Sequence, residues 1–146
     1  MSVFVITGKK MDYPLPEGYK PLLVGADFNK VPKGYLADNT GDNISSKNRE
    51  YCELTGLYWL WQHCKDKYIG LSHYRRYFGN FNSRLTMDLH LLLRGTLKPA
   101  SLPSLIGNME SADWIVSQPL TLNTSSNWEF YKNNHHLKDL TKTREI

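Results

Sequence analysis

Short apolar runs separated by turn residues dominate the hydrophobic pattern of the chain. The first run, residues 3–7, reads Val-Phe-Val-Ile-Thr and stops at Gly8. Its β-branched and aromatic side chains predict a buried strand. The segment 9–20 holds two prolines and a glycine, so it predicts a loop. Runs similar to the first predict further strands at 21–24, 68–72 and 113–116.

A helical period follows a long polar loop over residues 26–46. After that loop, apolar side chains recur every three or four positions and predict one helix that ends near residues 65–67. Ser46 or Asn48 can cap its start. We expect its apolar stripe to pack against the sheet as core. The stripe comprises Tyr51, Leu54, Leu57, Tyr58, Leu60, Trp61 and Cys64.

Three later segments complete the pattern. Residues 88–94 fit a short helix or a strand, and residues 102–109 fit a helix. A last helix would begin at Asn127 and continue through Leu140. The order strand, strand, helix, strand, helix, strand, helix predicts an α/β fold with a mainly parallel sheet flanked by helices.

Charge and cysteine content narrow the classes of partner and compartment. The net charge of +4 and the pI near 9.0 favour an anionic partner. Lys and Arg are scattered rather than gathered in a stripe, so no nucleic acid is expected. Cys52 and Cys64 would lie about 18 Å apart on the predicted helix, too far for a disulfide. That spacing favours the reducing cytoplasm.

Membrane association is predicted to be peripheral at most. The longest apolar runs fall well short of a membrane span, and the first seven residues lack the pattern of a signal peptide. Contact with the inner face of the cytoplasmic membrane stays open, because the chain is basic.

Cationic and aromatic side chains directly follow the third predicted strand: His73, Tyr74, Arg75, Arg76 and Tyr77. Ligands of open α/β sheets bind beyond the carboxyl ends of the strands. Guanidinium groups match phosphate oxygens two at a time, so this cluster predicts a diphosphate site. If the extended conformation continues, His73 and Arg75 point to one side and Tyr74 and Arg76 to the other. The alternative is that one arginine pairs with Glu53 or Asp113 and the other is solvated.

The segment 38–43, Asp-Asn-Thr-Gly-Asp-Asn, is a second candidate. Asp38 and Asp42 could supply hard oxygen ligands to a divalent ion. Asp, Asn and Gly are also ordinary turn residues, and on the residues alone the turn interpretation is favoured.

Weaker candidates lie elsewhere. Glu53, near the helix start, could orient Arg75 or Arg76 or bond a sugar hydroxyl. His135 or His136, near Asp139 on the last helix, could touch substrate or be solvated. Zinc-ligand spacing, nucleophile elbows and Gly-rich phosphate loops are absent from the sequence.

Three long motifs resemble the DUF4422 family. They are LADNTGDNIS at 36–45, YCELTGLYW at 51–59 and YIGLSHYRRYF at 68–78. The resemblance covers the whole chain and implies a GT-A-like, Rossmann-like glycosyltransferase of bacterial capsular or exopolysaccharide synthesis. It also implies one nucleotide-sugar-binding domain over residues 1–146. Family members continue beyond this length, so we expect that domain to be the N-terminal part of a longer one, incomplete at its C-terminus. The family's usual Thr-His-Lys after the first strand is here Thr7-Gly8-Lys9.

The resemblance implies a role for each motif. The donor would be a nucleotide sugar, UDP-linked, and the acceptor a growing polysaccharide or a lipid-linked sugar. We expect the arginines to replace the metal as the positive charge that stabilises the departing diphosphate. If Mg²⁺ or Mn²⁺ is used instead, Asp38 and Asp42 would hold it. The expected catalytic residues are Arg75, Arg76, His73 and Asp42, and the expected nucleotide-sugar-binding residues are Asp38, Asn39, Asp42, Asn43, Glu53, Tyr74 and Lys9.

Two other functions remain open at this point. One is a non-catalytic nucleotide-sugar-binding or assembly module. The other is RNA binding, because tyrosine beside arginine also stacks and pairs with bases. If transfer inverts the anomeric centre it needs a base, and the candidates are Asp38, Asp42, Glu53 and Asp113.

Overall fold

Among the described residues, a four-stranded parallel sheet forms the centre of the N-terminal part of the chain. The computed structural model describes residues 1–79, 84–95, 98–116 and 126–134. Its strands are β1 (Ser2–Thr7), β2 (Tyr19–Leu23), β3 (Leu36–Ala37) and β4 (Ile69–His73), in the order β3-β2-β1-β4. All three neighbouring pairs are parallel. The predicted α/β fold with a mainly parallel sheet is therefore confirmed.

The strand β1 follows its apolar run closely, because a strand covered on both faces needs apolar side chains on both. Every residue of β1 is buried. The second strand begins at Tyr19, two residues before its predicted start, since Tyr19 pairs with Val3. The two-residue β3 lies inside the predicted loop 26–46, where nothing in the sequence indicated it.

Two apolar clusters fill the two faces of the sheet. On one face, Val3 and Val5 pack with Leu105 of the helix α4 (Leu102–Met109). On the other, Phe4 and Leu22 pack with Leu60. Leu60 belongs to the helix α2 (Leu54–His63). The sheet thus lies between α2 and α4, and the predicted helix at 102–109 is confirmed.

The single long helix predicted before β4 is wrong. A 3₁₀ turn (Ser45–Lys47) and the short helix α1 (Asn48–Tyr51) precede α2, and Cys52 separates the two helices at φ 47° and ψ −125°. The break is held by Asn48, whose side-chain amide donates to the Cys52 carbonyl at 2.7 Å and to Thr55 Oγ1 at 2.9 Å. Both cysteines are free thiols, Cys52 at the break and Cys64 just after α2.

The predicted core stripe is also wrong in part. Leu60 is buried, but Trp61 is 73% exposed and Leu54 is 56% exposed. The face of α2 that meets the sheet carries Thr55 and Gly56 instead. Small residues there let the helix backbone approach the strands closely, which turns the larger side chains outward.

The fourth strand predicted at 113–116 does not form. These residues have no regular secondary structure, and Trp114 and Val116 are exposed. Ile115 alone of the run packs against the cluster that contains Val3 and Val5. The run therefore contributes one side chain, Ile115, to the core and forms no strand pairing.

The remaining helices are α3 (Arg84–Arg94) and α5 (Asn127–Asn134). The segment 88–94 is therefore helical, and the last helix starts at Asn127 as predicted. Its predicted continuation to Leu140 lies outside the described residues. The chain divides into two compact units, Met1–Ile115 and Val116–Ile146. Within the described ranges, none of the helices is long and apolar enough to cross a membrane.

Candidate functional site

Parallel pairing brings the carboxyl ends of the four strands to one edge of the sheet. Lys9 follows β1 there, Gly25 follows β2, Asp38 follows β3 and Tyr74 follows β4. Ligands of such sheets bind at this edge, so it is the candidate site.

The backbone after β4 turns back on itself immediately. The His73 amide donates to the Arg76 carbonyl at 3.1 Å, and the Arg76 amide donates to the His73 carbonyl at 2.9 Å. Tyr74 and Arg75 occupy the two corners, and we call residues 73–76 the arginine turn. The predicted extended conformation, with alternate side chains on opposite sides, is therefore wrong.

Two further hydrogen bonds fix the arginine turn to the sheet. The Tyr74 amide donates to the carbonyl of Ile6 in β1 at 3.1 Å. The Ser72 hydroxyl donates to the Arg76 carbonyl at 2.6 Å. The turn is thus positioned by backbone contacts, which leaves both arginine side chains exposed.

Positive charge concentrates around the ring of Tyr74. The Arg75 guanidinium carbon lies 5.0 Å from the ring centroid, and Lys9 Nζ lies 5.5 Å from it. Both are cation–π distances. In the described part of the chain neither Arg75 nor Arg76 forms an ion pair with a carboxylate. The arrangement offers exposed cationic groups to an anion.

Glu53 pairs with His73 rather than with an arginine. Its Oε1 lies 3.5 Å from His73 Nε2. Burial lowers the pKa of His73, the Glu53 carboxylate opposes this, and the charges of Arg75 and Arg76 add to the lowering. The predicted contact of Glu53 with an arginine is therefore replaced by a contact with the imidazole beside the arginines.

Asp38 is buried at this edge, just after β3, and both of its carboxylate oxygens accept hydrogen bonds from the protein. Its Oδ2 accepts from the Gly25 amide at 2.9 Å and from Thr55 Oγ1 at 2.6 Å. Its Oδ1 accepts from the Ala26 amide at 3.0 Å and from Ser45 Oγ at 2.6 Å. Four donors satisfy this fully buried carboxylate, which is left with no exposed oxygen for substrate. The predicted direct contact between Asp38 and the nucleotide sugar does not fit this geometry.

Asp38 and Asp42 do not fit a shared divalent ion either. Both oxygens of Asp38 accept from protein donors. Asp42 is exposed, and its carboxylate oxygens lie 3.4 Å from the Tyr58 hydroxyl. Across the described residues there is no group of three or more His, Cys, Asp or Glu side chains arranged to hold a metal ion.

The second half of the 38–43 segment contacts the C-terminal end of α2. The Asp42 carbonyl contacts His63 Nε2 at 2.9 Å. His63 is ten positions beyond Glu53, which corresponds to about 15 Å along a helix. Asn43 closes a local turn with Gly41 and Ser45, and Asn39 is half-buried. No described contact brings Asp42, Asn39 or Asn43 to the arginine turn.

Asp113 lies at the opposite edge of the sheet. It lines a cavity of about 280 Å³ together with Met1, Lys67 and Tyr68, which precede β1 and β4. These are the amino ends of the strands, so Asp113 is separated from the candidate site, and the alternative in which it pairs with an arginine does not hold.

Sequence reasoning missed Tyr13, which supports the arginine turn together with Tyr77. The Tyr13 hydroxyl donates to the Tyr74 carbonyl and lies 2.7 Å from the Tyr77 hydroxyl. Burial, together with the nearby Tyr13 hydroxyl, raises the pKa of Tyr77. Tyr13 stands 61 residues before Tyr74 in a Pro-rich loop, so no local pattern indicated this contact. The predicted candidates His135, His136 and Asp139 lie outside the described residues.

The parallel sheet flanked by helices is an α/β fold, consistent with the GT-A-like class. The chain belongs to the DUF4422 family, a domain of unknown function, which matches residues 2–146. Its fold is similar to the apo structure of WbbM, a bifunctional glycosyltransferase, with 36% sequence identity and a TM-score of 0.51. That match covers 57% of this chain and 15% of the WbbM chain. No curated protein matches the chain.

Proposed function

We propose that the protein is a glycosyltransferase whose arginine turn receives the diphosphate of a nucleotide-sugar donor. The observation that carries the proposal is the pair of exposed guanidinium groups at the carboxyl edge, on a turn whose backbone bonds to β1 and to the Ser72 hydroxyl. The glycosyltransferase-like fold supports it. We further propose a UDP-linked donor, an acceptor in capsular or exopolysaccharide synthesis, and a cytoplasmic location with peripheral contact to the inner membrane face.

Transfer would break the bond between the sugar C1 and the diphosphate oxygen, and that oxygen keeps the electron pair. A bond from C1 to an acceptor hydroxyl oxygen forms, and the hydroxyl proton passes to a base. Negative charge would develop on the diphosphate, and in this proposal Arg75, Arg76 and Lys9 supply the positive charge that stabilises it. Of the four candidate carboxylates, we propose Glu53 as the base, because it contacts His73 in the arginine turn.

A panel of nucleotide sugars tests the proposal. Each sugar is added to the protein with Mg²⁺, with Mn²⁺ or with a chelator, and the unfolding midpoint and the release of free nucleotide diphosphate are measured. We expect one donor to raise the midpoint through ligand linkage and to be hydrolysed slowly in all three conditions. A strict metal requirement would contradict the arginine mechanism. Stabilisation without any turnover, with or without acceptor sugars, would instead support a non-catalytic nucleotide-sugar-binding module.

A further inference from the structure

Both ring nitrogens of His73 are engaged by neighbours of different kinds. Nδ1 lies 3.3 Å from the backbone nitrogen of Arg75, whose N–H points at it. Nε2 lies 3.5 Å from the Glu53 carboxylate. The His73 side chain is 22% exposed, so it is largely shielded from solvent on the side of these contacts.

The two contacts select one tautomer. A nitrogen that accepts a hydrogen bond from an amide carries no proton, and a neutral imidazole has one proton to place. That proton is therefore on Nε2, where it faces the carboxylate oxygen. A doubly protonated ring could not accept from Arg75, since both of its nitrogens would be donors.

We propose that His73 is a positioning residue: as the neutral Nε2–H tautomer it holds the Arg75 amide and so fixes the arginine turn. This rests on the proposed function in one respect, because the purpose of the fixed turn is to receive the diphosphate. It also changes the predicted role of His73. Neither nitrogen has a free lone pair for a substrate proton, so His73 is not the catalytic base.

A dependence on pH follows from the groups that face the ring. Glu53 favours the charged imidazolium, whereas Arg75 and Arg76 oppose it, and burial lowers the pKa of His73 below its ordinary value. Lys9 faces the neighbouring Tyr74 ring and adds positive charge to the same region. As the pH falls through the pKa of His73, the Arg75 amide loses its acceptor, and donor affinity should fall. If His73 merely contributed charge, acid would strengthen the binding of an anion.

The ligand-free protein provides the first test. Long-range ¹H–¹⁵N correlation spectra, assigned with the variant His73→Asn, should show a protonated Nε2 and a bare Nδ1 at about pH 7.5, roughly one unit above the ordinary pKa of histidine. The amide exchange protection of Arg75 should be lost in acid, whereas that of Tyr74, which bonds to Ile6, should persist. An Nδ1–H tautomer or an imidazolium at that pH, or equal loss of protection at both amides, would overturn the proposal.

Binding of a UDP-sugar, whose diphosphate does not titrate near neutral pH, provides the second test. Wild-type affinity should fall by up to about tenfold for each pH unit below the pKa of His73. The variant His73→Asn introduces a side-chain oxygen that can still accept from the Arg75 amide but does not titrate, so its affinity should be flat with pH. An acid-strengthened wild type would overturn the positioning role. A wild type that binds no nucleotide sugar would contradict the proposed function, while the spectra would still decide the role of His73.

Discussion

Thr55 donates its hydroxyl to Oδ2 of Asp38 at 2.6 Å, which joins the loop after β3 to the first turn of α2. Ser45 makes the equivalent bond to Oδ1, and the backbone after β2 supplies the other two donors. Three separate segments therefore converge on one buried carboxylate. The loop that resembles a ligand site is a structural anchor at its Asp38 end.

Replacement of Asp38 by Asn should destabilise the protein strongly. The amide nitrogen would face two donors in place of an oxygen, so two hydrogen bonds to a charged acceptor are lost. Each such bond contributes about 1.5–3 kcal/mol, and we expect a loss of about 3 kcal/mol or more in the free energy of unfolding. Urea denaturation followed by circular dichroism measures it.

Asp42→Asn is the matched control for that experiment. Asp42 is exposed and its side chain makes long contacts to Tyr58, so we expect a change within about 0.5 kcal/mol. Equal effects of the two substitutions would contradict the anchor role of Asp38.

Gly56 sets the distance between α2 and the sheet. A Cβ added there would lie 2.7 Å from Val24 Cγ1 and 3.3 Å from Leu22 Cδ2. We expect Gly56→Ala to destabilise by about 1–2 kcal/mol, because overpacking outweighs the gain in helix propensity. Gly107→Ala in α4, where a Cβ meets open space, should instead stabilise by up to about 1 kcal/mol. Thermal unfolding of both variants compares them, and the same sign for both would contradict this account.

Cys52 occupies a backbone conformation that glycine adopts most readily. Its φ of 47° with ψ of −125° places it outside the regions open to side chains. Cys52→Gly should therefore raise the free energy of unfolding by about 1 kcal/mol. Cys52→Ala keeps the Cβ and should leave it nearly unchanged. If Cys52→Ala also raised the free energy of unfolding, the gain would come from removal of the thiol and not from relief of backbone strain.

The sequence allowed the sheet to be predicted where burial on both faces imposes an unbroken apolar run. That condition holds at β1, so its limits were predictable. It fails at β3, which has two residues and pairs through Leu36 and Ala37. The run at 113–116 has the composition of a strand, but strand formation depends on a free neighbouring edge, and this is a tertiary property.

The helix break and the buried aspartate were not predictable for a similar reason. Apolar spacing continues across Cys52, and the side chain that holds the break, Asn48, is an ordinary capping residue in the sequence. From the sequence alone, Asp38 fits a turn residue or a metal ligand, and only the structure reveals its four hydrogen-bond donors. The rule that ligands bind beyond strand ends did place His73 and the arginines at the candidate edge, because it depends on topology alone.

Calorimetric titration with UDP and with uridine shows whether Arg75 and Arg76 bind a diphosphate. Wild type should bind UDP more tightly than uridine. The double variant Arg75→Gln, Arg76→Gln should bind UDP at least about tenfold more weakly while uridine binding is unchanged, since each charge-assisted bond lost should contribute about 1.5–3 kcal/mol. Equal UDP affinity in wild type and the double variant would show that the arginines do not bind the diphosphate.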